Sequence, residues 1–337
     1  MLARKSRLVH PSGVILETPL LIPSFSSKGF SFADDGKSES ASALTVASQF
    51  ITESMLISAY DLFYKYLPTG DRLDVYPQLT FVDSGGYETS DSYDLSAALK
   101  HPIKPEEWTE KELLQVYSDW DPISAAVFVS YDHPDRRIDI PTQVADARKL
   151  FQRFQDQLHC LLIKPETQGQ QYIQLPNIIA NVRLLSHFDI IGFTEKELSR
   201  GNSVLGRMQS IAQIRRAMDR EGITKPIHIF GSLDTISCCL YFLAGAEIFD
   251  GLTWLRYSYR NGLTIYQGNY GALETGIEER DNLVRSMSLT DNLRYLRKLQ
   301  IEMRSFLLDN NDFDVFSYHS DLFRRSWDAL RTKIGEN

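Results

Sequence analysis

The sequence predicts an α/β fold, a (β/α)8 barrel with an N-terminal hairpin and C-terminal helices. Eight short apolar runs recur along the 337 residues, and helical segments lie between them. Regular alternation of strand and helix points to parallel strands, and eight of them suffice to close a barrel. Several runs also end in an acid or a glycine, where such barrels keep their chemistry. An open doubly wound sheet is the alternative, but no GxGxxG follows the first run.

The elements follow in order. Arg4–Val9 and Val14–Thr18 pair as a hairpin around Pro11-Ser12-Gly13. Leu20–Phe25 is the first barrel strand, and Ser26–Ser42, rich in Gly, Ser and Asp, reads as a mobile loop. Ser54–Ser58 and Leu79–Val82 are strands two and three. Glu106–Trp120 is a helix with an acidic start, Ala125–Tyr131 strand four, Pro141–Gln157 an amphipathic helix and His159–Ile163 strand five. Leu175–Ser186 is a helix and Phe188–Phe193 strand six. Asn202–Glu221 is a helix with Asn202 as N-cap and Gly222 as stop. Pro226–Phe230 is strand seven, Asp234–Ala244 a helix and Glu247–Leu252 strand eight. A basic helix, Ser288–Leu308, and a last helix, Ser320–Lys333, complete the chain. The barrel with its late helix is expected over residues 1–310, and 311–337 is expected as a helical extension.

Composition narrows the function. The chain is 43% hydrophobic and 24% charged, enough for one large core. A net charge of −8 excludes a general polyanion binder, so nucleic-acid contact requires local basic patches. Cys160, Cys238 and Cys239 form no CxxC, which argues against a disulfide framework or a cysteine-rich zinc site. No run reaches transmembrane length and the N-terminus lacks an apolar signal core, so a cytoplasmic location without membrane contact is expected.

The strand ends carry the candidate chemistry. Asp83 ends strand three and is followed by Ser84-Gly85-Gly86, a turn that brings backbone close to a ligand. Asp132 follows strand four, Lys164 strand five and Gly231 strand seven; Gly192 lies near the end of strand six and Asp250 within strand eight. Each acid alone could cap the next helix. Converging on one rim, two carboxylates can divide labour, one attacking and one shuttling a proton, as displacement at a sugar anomeric carbon requires. His228, inside an apolar strand, reads as a core histidine. No HExxH or clustered histidines suggest a metal.

These motifs resemble the tRNA-guanine transglycosylases. Asp83-Ser84-Gly85-Gly86-Tyr87 is similar to the family's DSGG-aromatic motif, and Gly245-Ala246-Glu247-Ile248-Phe249-Asp250 to its GAD-FD segment. Arg256, Arg260-Asn261-Gly262 and Asn292-Leu293-Arg294-Tyr295-Leu296 follow in the family's order. The resemblance implies a pentosyltransferase that exchanges guanine in a polynucleotide for a free 7-deazaguanine, without an energy cofactor. It makes Asp250 the nucleophile and Asp83 the general acid/base. Asp132 would hydrogen-bond the guanine edge, Gly192 and Phe193 would lie beneath the base, and Tyr87 would stack on it. Ser84, Gly85, Lys164 and Gly231 would line the same pocket, and Arg256 and Arg260 would meet phosphates.

The departures redirect the expectation. Lys164-Pro165 stands where the family has Gln-Gly, and Glu88 replaces a Gln; Glu197 falls where the family often has a pocket glutamate. Leu263–Thr290 contains no cysteine, and Asp291 occupies the place of a zinc-ligating histidine, so the zinc subdomain is expected to be absent. A DNA-modifying branch of the family resembles the chain better. It implies insertion of 7-cyano-7-deazaguanine or a derivative into DNA, with partner proteins of a modification cluster. Arg294, Arg297, Lys298, Arg324 and Arg325 are backbone-holding candidates, or simply a solvated helix face. A tRNA-acting enzyme, a non-catalytic partner subunit and a hydrolase on the same barrel are the competing readings.

Overall fold

The structure is a computed structural model that describes residues 1–34, 36–68, 77–90, 105–120, 125–199 and 203–335. Strands β1 (Arg7–Val9) and β2 (Ile15–Glu17) form the expected antiparallel hairpin. Eight parallel strands follow: β3 (Leu20–Phe25), β4 (Ser54–Ser58), β5 (Leu79–Asp83), β6 (Ala125–Val129), β7 (Leu158–Ile163), β8 (Ile190–Thr194), β9 (Ile227–Phe230) and β10 (Ile248–Gly251). They pair in chain order, and β10 closes the ring against β3. The chain is therefore a closed (β/α)8 barrel.

Strand periodicity divides the core into two layers. Leu20, Ile22, Leu56, Leu79, Phe81, Val127, Cys160, Ile190, Phe230 and Ile248 fill the lumen. Leu21, Ile57, Val82, Phe128, Ile191, Phe193, Ile229 and Phe249 alternate with them and pack outward against the helices. The period of two carries Asp83, two residues beyond Phe81, and Asp250, two beyond Ile248, onto the luminal side of the C-terminal rim. Polar residues at these positions end the apolar stacking of the lumen.

The helices sit where local chemistry starts and stops them. Glu110–Ser118 begins with a capping box between Thr109 and Glu112, and Ile140–Phe151 is capped by the Asp139 side chain, which accepts from Thr142 N. Val204–Arg220 is capped by Ser203 and stops before Gly222, whose φ of +70° suits glycine. The predicted cap, Asn202, lies outside the described residues. The segment from Leu175 splits into a helix, Leu175–Ala180, and a 3₁₀ turn, Val182–His187. The final helix, Ser320–Ile334, buries Phe323, Trp327 and Leu330 in the outer core and packs against Val204–Arg220.

Two expectations are corrected. The predicted mobile loop contains a helix, Glu39–Ala47, whose cap is Ser38, and its first residues, Ser26–Phe30, are buried. The late helix starts at Asp281 rather than Ser288. Before it, β11 (Ser258–Arg260) and β12 (Leu263–Ile265) form a hairpin, and Gln267–Glu274 is helical. The hairpin turns at Asn261-Gly262, both with positive φ, a two-residue turn that matches strand twist. Among the described residues, no group of three or more His, Cys, Asp or Glu is placed to hold a metal ion, and no helix is long and apolar enough to cross a membrane.

Candidate active site

Asp250 is the best-held acid of the rim. It is 5% exposed, and its two oxygens take partners from three other parts of the ring. Ser24 Oγ on β3 donates to Oδ2 at 2.8 Å. His228 Nε2 on β9 lies 2.9 Å from Oδ1, and the Gly231 N–H reaches the same oxygen at 3.3 Å. Gly231 has φ +78°, and a Cβ built there would meet nothing within 4 Å, so open space adjoins this side of the carboxylate. The arrangement fixes the carboxylate's plane while leaving lone pairs for a reacting atom.

Asp83 is held in the opposite way. Its Oδ1 is buried without a hydrogen-bond partner. Burial raises its carboxyl well above the usual carboxylate range, the charges of Glu88, Asp250 and Asp132 push the same way, and the Ser84 N–H opposes them. The turn that follows is rigid. Gly85 adopts φ +84°, and a Cβ there would come within 2.8 Å of both Trp108 and Tyr60. Trp108 Nε1 also donates to Ser84 O at 2.8 Å, locking the turn from behind. Gly86 backs directly onto Asp132: a Cβ there would meet Asp132 Oδ2 at 2.7 Å.

Two further acids back this turn. Glu88 is 2% exposed; Oε1 accepts a short hydrogen bond from Ser26 Oγ, and Oε2 has no partner. Asp61 is buried and accepts from both the N–H and the hydroxyl of Ser27. Burial, followed by the charge of Glu88, raises the Asp61 carboxyl well above its ordinary range. The adjacent Lys28 sends its ammonium to the carbonyls of Tyr87 and Ser90 and lies over the Tyr87 ring, 4.5 Å from its centre. Arg256 donates to Lys28 O at 2.8 Å and to Tyr87 Oη at 3.1 Å, with its guanidinium over Phe30. Tyr87 is thus clamped between two cations, and Arg256 is itself buried. Arg260 pairs with Glu274 at the hairpin.

A second group lies beside it. Lys164 Nζ contacts Glu197 Oε2 at 2.7 Å, Asp132 Oδ2 at 3.2 Å and Thr194 Oγ1 at 3.1 Å. Arg137 holds the other Asp132 oxygen at 3.2 Å. Burial works against the Lys164 charge, but Asp132 and Glu197 outweigh it and raise its pKa. An ammonium and a guanidinium therefore flank the Asp132 carboxylate. Gly192 is luminal, facing Cys160 and the Phe230 ring, whereas the Phe193 ring points into the outer layer and does not share the lumen.

Asp83, Ser84, Gly85, Tyr87 and Glu88 thus lie on one turn, and the charges of Glu88, Asp250 and Asp132 all raise the Asp83 carboxyl. Two partners of Asp250 were not foreseen. His228 is as buried as a core histidine, but its ring bonds the site. The available signal was its place on an inward position two residues from Phe230. Ser24, between Pro23 and Phe25, offered only a polar residue in an apolar run. Comparison with family models and with curated proteins finds no match.

Proposed function

We propose that the chain is a base-exchange transglycosylase that replaces guanine in a polynucleotide, DNA in preference to RNA, by a 7-deazaguanine through a glycosyl ester of Asp250. The observation that carries this reading is the pairing of two luminal carboxylates with opposite environments. Asp250 is aimed by three donors; Asp83 is desolvated and keeps its proton to a higher pH. The DSGGY and GAEIFD motifs supply these two acids and give the reading its substrate class.

The chemistry balances in two displacements. An Asp250 oxygen attacks C1′ of the guanosine sugar as the C1′–N9 bond breaks, and Asp83 gives its proton to the departing guanine. The incoming deazapurine then loses its N9 proton to Asp83 and attacks C1′, and the ester bond to Asp250 breaks. Two displacements retain the anomeric configuration. A duplex base reaches the rim only when flipped out of the stack. Lys164 stands in place of the family's glutamine amide, with its ammonium on Glu197, Asp132 and Thr194.

The test is exchange of labelled guanine and of labelled 7-cyano-7-deazaguanine into purified DNA and tRNA, side by side. Incorporation into DNA supports the proposal. Incorporation into tRNA alone transfers it to RNA, and release of free base without exchange replaces it with a hydrolase.

A further inference from the structure

The luminal ring of His228 is fully buried, yet nothing in the two-carboxylate scheme uses it. Its Nε2 meets Asp250 Oδ1 at 2.9 Å, while Nδ1 is buried with no hydrogen-bond partner. The ring stacks on Phe230 with centroids 3.8 Å apart and meets the edge of Phe81 at 5.5 Å. A proton on Nδ1, on the neutral ring or on an imidazolium, would be a buried donor without an acceptor among aromatic rings, which is costly. A proton on Nε2 is satisfied by the carboxylate.

We infer that His228 is a positioning residue for Asp250, held as the neutral Nε2–H tautomer by an aromatic bed that Gly192 makes room for. The inference rests on the transglycosylase reading of Asp250. A neutral donor orients the carboxylate without taking its charge, as an imidazolium would by proton transfer. When the ester forms, the same N–H holds its carbonyl oxygen. When the ester breaks, it meets the returning negative charge, a preorganised donor of the oxyanion-hole kind. Gly192 pairs in register with His228, and a Cβ at Gly192 would come within 2.5 Å of Phe230 Cε2. That ring cannot move without moving the imidazole stacked on it. The backbone opening at Gly192 therefore serves the aim of Asp250 through two rings.

The test combines variants with a readout that needs no turnover. Nitrogen NMR of the wild-type imidazole should report a neutral ring protonated on Nε2; an imidazolium or an Nδ1–H tautomer at neutral pH overturns the inference. In the exchange assay, His228→Gln, which keeps a donor of similar reach, should stay within about tenfold of wild type. His228→Phe, which keeps the ring and loses the donor, should lose about 10²-fold in kcat with KM for base and polynucleotide unchanged. Gly192→Ala should lower kcat in the same way and broaden or shift the imidazole resonances. Equal losses in the Gln and Phe variants, or no loss in either, overturn the positioning role. If wild type exchanges no base into any polynucleotide, the transglycosylase reading fails by itself, and the NMR tautomer still decides the His228–Asp250 pair.

Discussion

The two ends of the barrel treat buried charge differently. At the N-terminal end, fully buried Arg215 donates to the carbonyls of Ile223 and Lys225, bonds Asp219 at 3.1 Å and lies 3.9 Å from Glu247 Oε1, a buried oxygen with no hydrogen-bond partner of its own. Arg4 grips Asp219 with two bonds of 2.7 Å, and Thr18 donates to Glu247 at 2.7 Å. At the C-terminal end, Asp83 and Glu88 each keep a buried oxygen unpartnered. At one end the orphan acceptor faces a guanidinium; at the other it faces further carboxylates. Unsatisfied acceptors cost stability, most of all where the charges beside them are also carboxylates, as around Asp83.

That contrast can be broken in four places. The largest effect belongs to Asp250→Ala, which should reduce base exchange to background and abolish any trapped enzyme–polynucleotide adduct, with an unchanged circular dichroism spectrum. Exchange at the wild-type rate would remove Asp250 from the chemistry. Next comes Asp83→Asn, expected to lower exchange by about 10²–10⁴-fold, the span of general acid–base catalysis, while guanine-containing polynucleotide still binds. A gel-shift loss matching the activity loss would make Asp83 a binding residue instead.

At the other end, Arg215→Met should cost about 3–5 kcal/mol of stability in a denaturant titration, because Glu247 is left buried with too few partners. Exchange per folded molecule should remain near wild type; a selective loss of activity would erase the distinction between the two ends. The smallest effect is Glu88→Gln. Glu88's charge helps raise the Asp83 carboxyl, so removing it lowers that pKa toward the ordinary range. Asp83 then loses its proton at lower pH, and the alkaline limb of the exchange profile moves to the acid side. A limb that stays put, or moves to higher pH, would show that Glu88 does not act on Asp83 through charge.

The barrel was legible because its strands are short, apolar and regularly spaced, and tertiary packing agrees with them. Leu79–Asp83 and Ile248–Gly251 emerge within a residue or two of the predicted runs. The Glu39–Ala47 helix was hidden because Glu-Ser-Ala-Ser-Ala offers almost no apolar stripe; its burial comes from neighbours, not from its own periodicity. Asn261-Gly262 did announce a hairpin, but the flanking runs of three residues are too short to show alternation. The motif acids were readable from local sequence. Their environment was not: the bond between His228 and Asp250 spans 22 residues, and that between Asp132 and Lys164 depends on where two strands end.

The hydrogen bond between Ser24 and Asp250 joins residues 226 apart, and it crosses the seam where the last barrel strand meets the first. Until that seam shuts, the carboxylate has lost a donor, and both edge strands present unpaired backbone to any other chain. Long-range closure of this kind is slow, so newly made chains are expected to pass through an interval in which this site is incomplete and the open edges favour association. Activity would then rise together with closure, not ahead of it. A crosslink across the seam should shorten that interval, and the catalytic assay itself becomes a clock for the last step of folding.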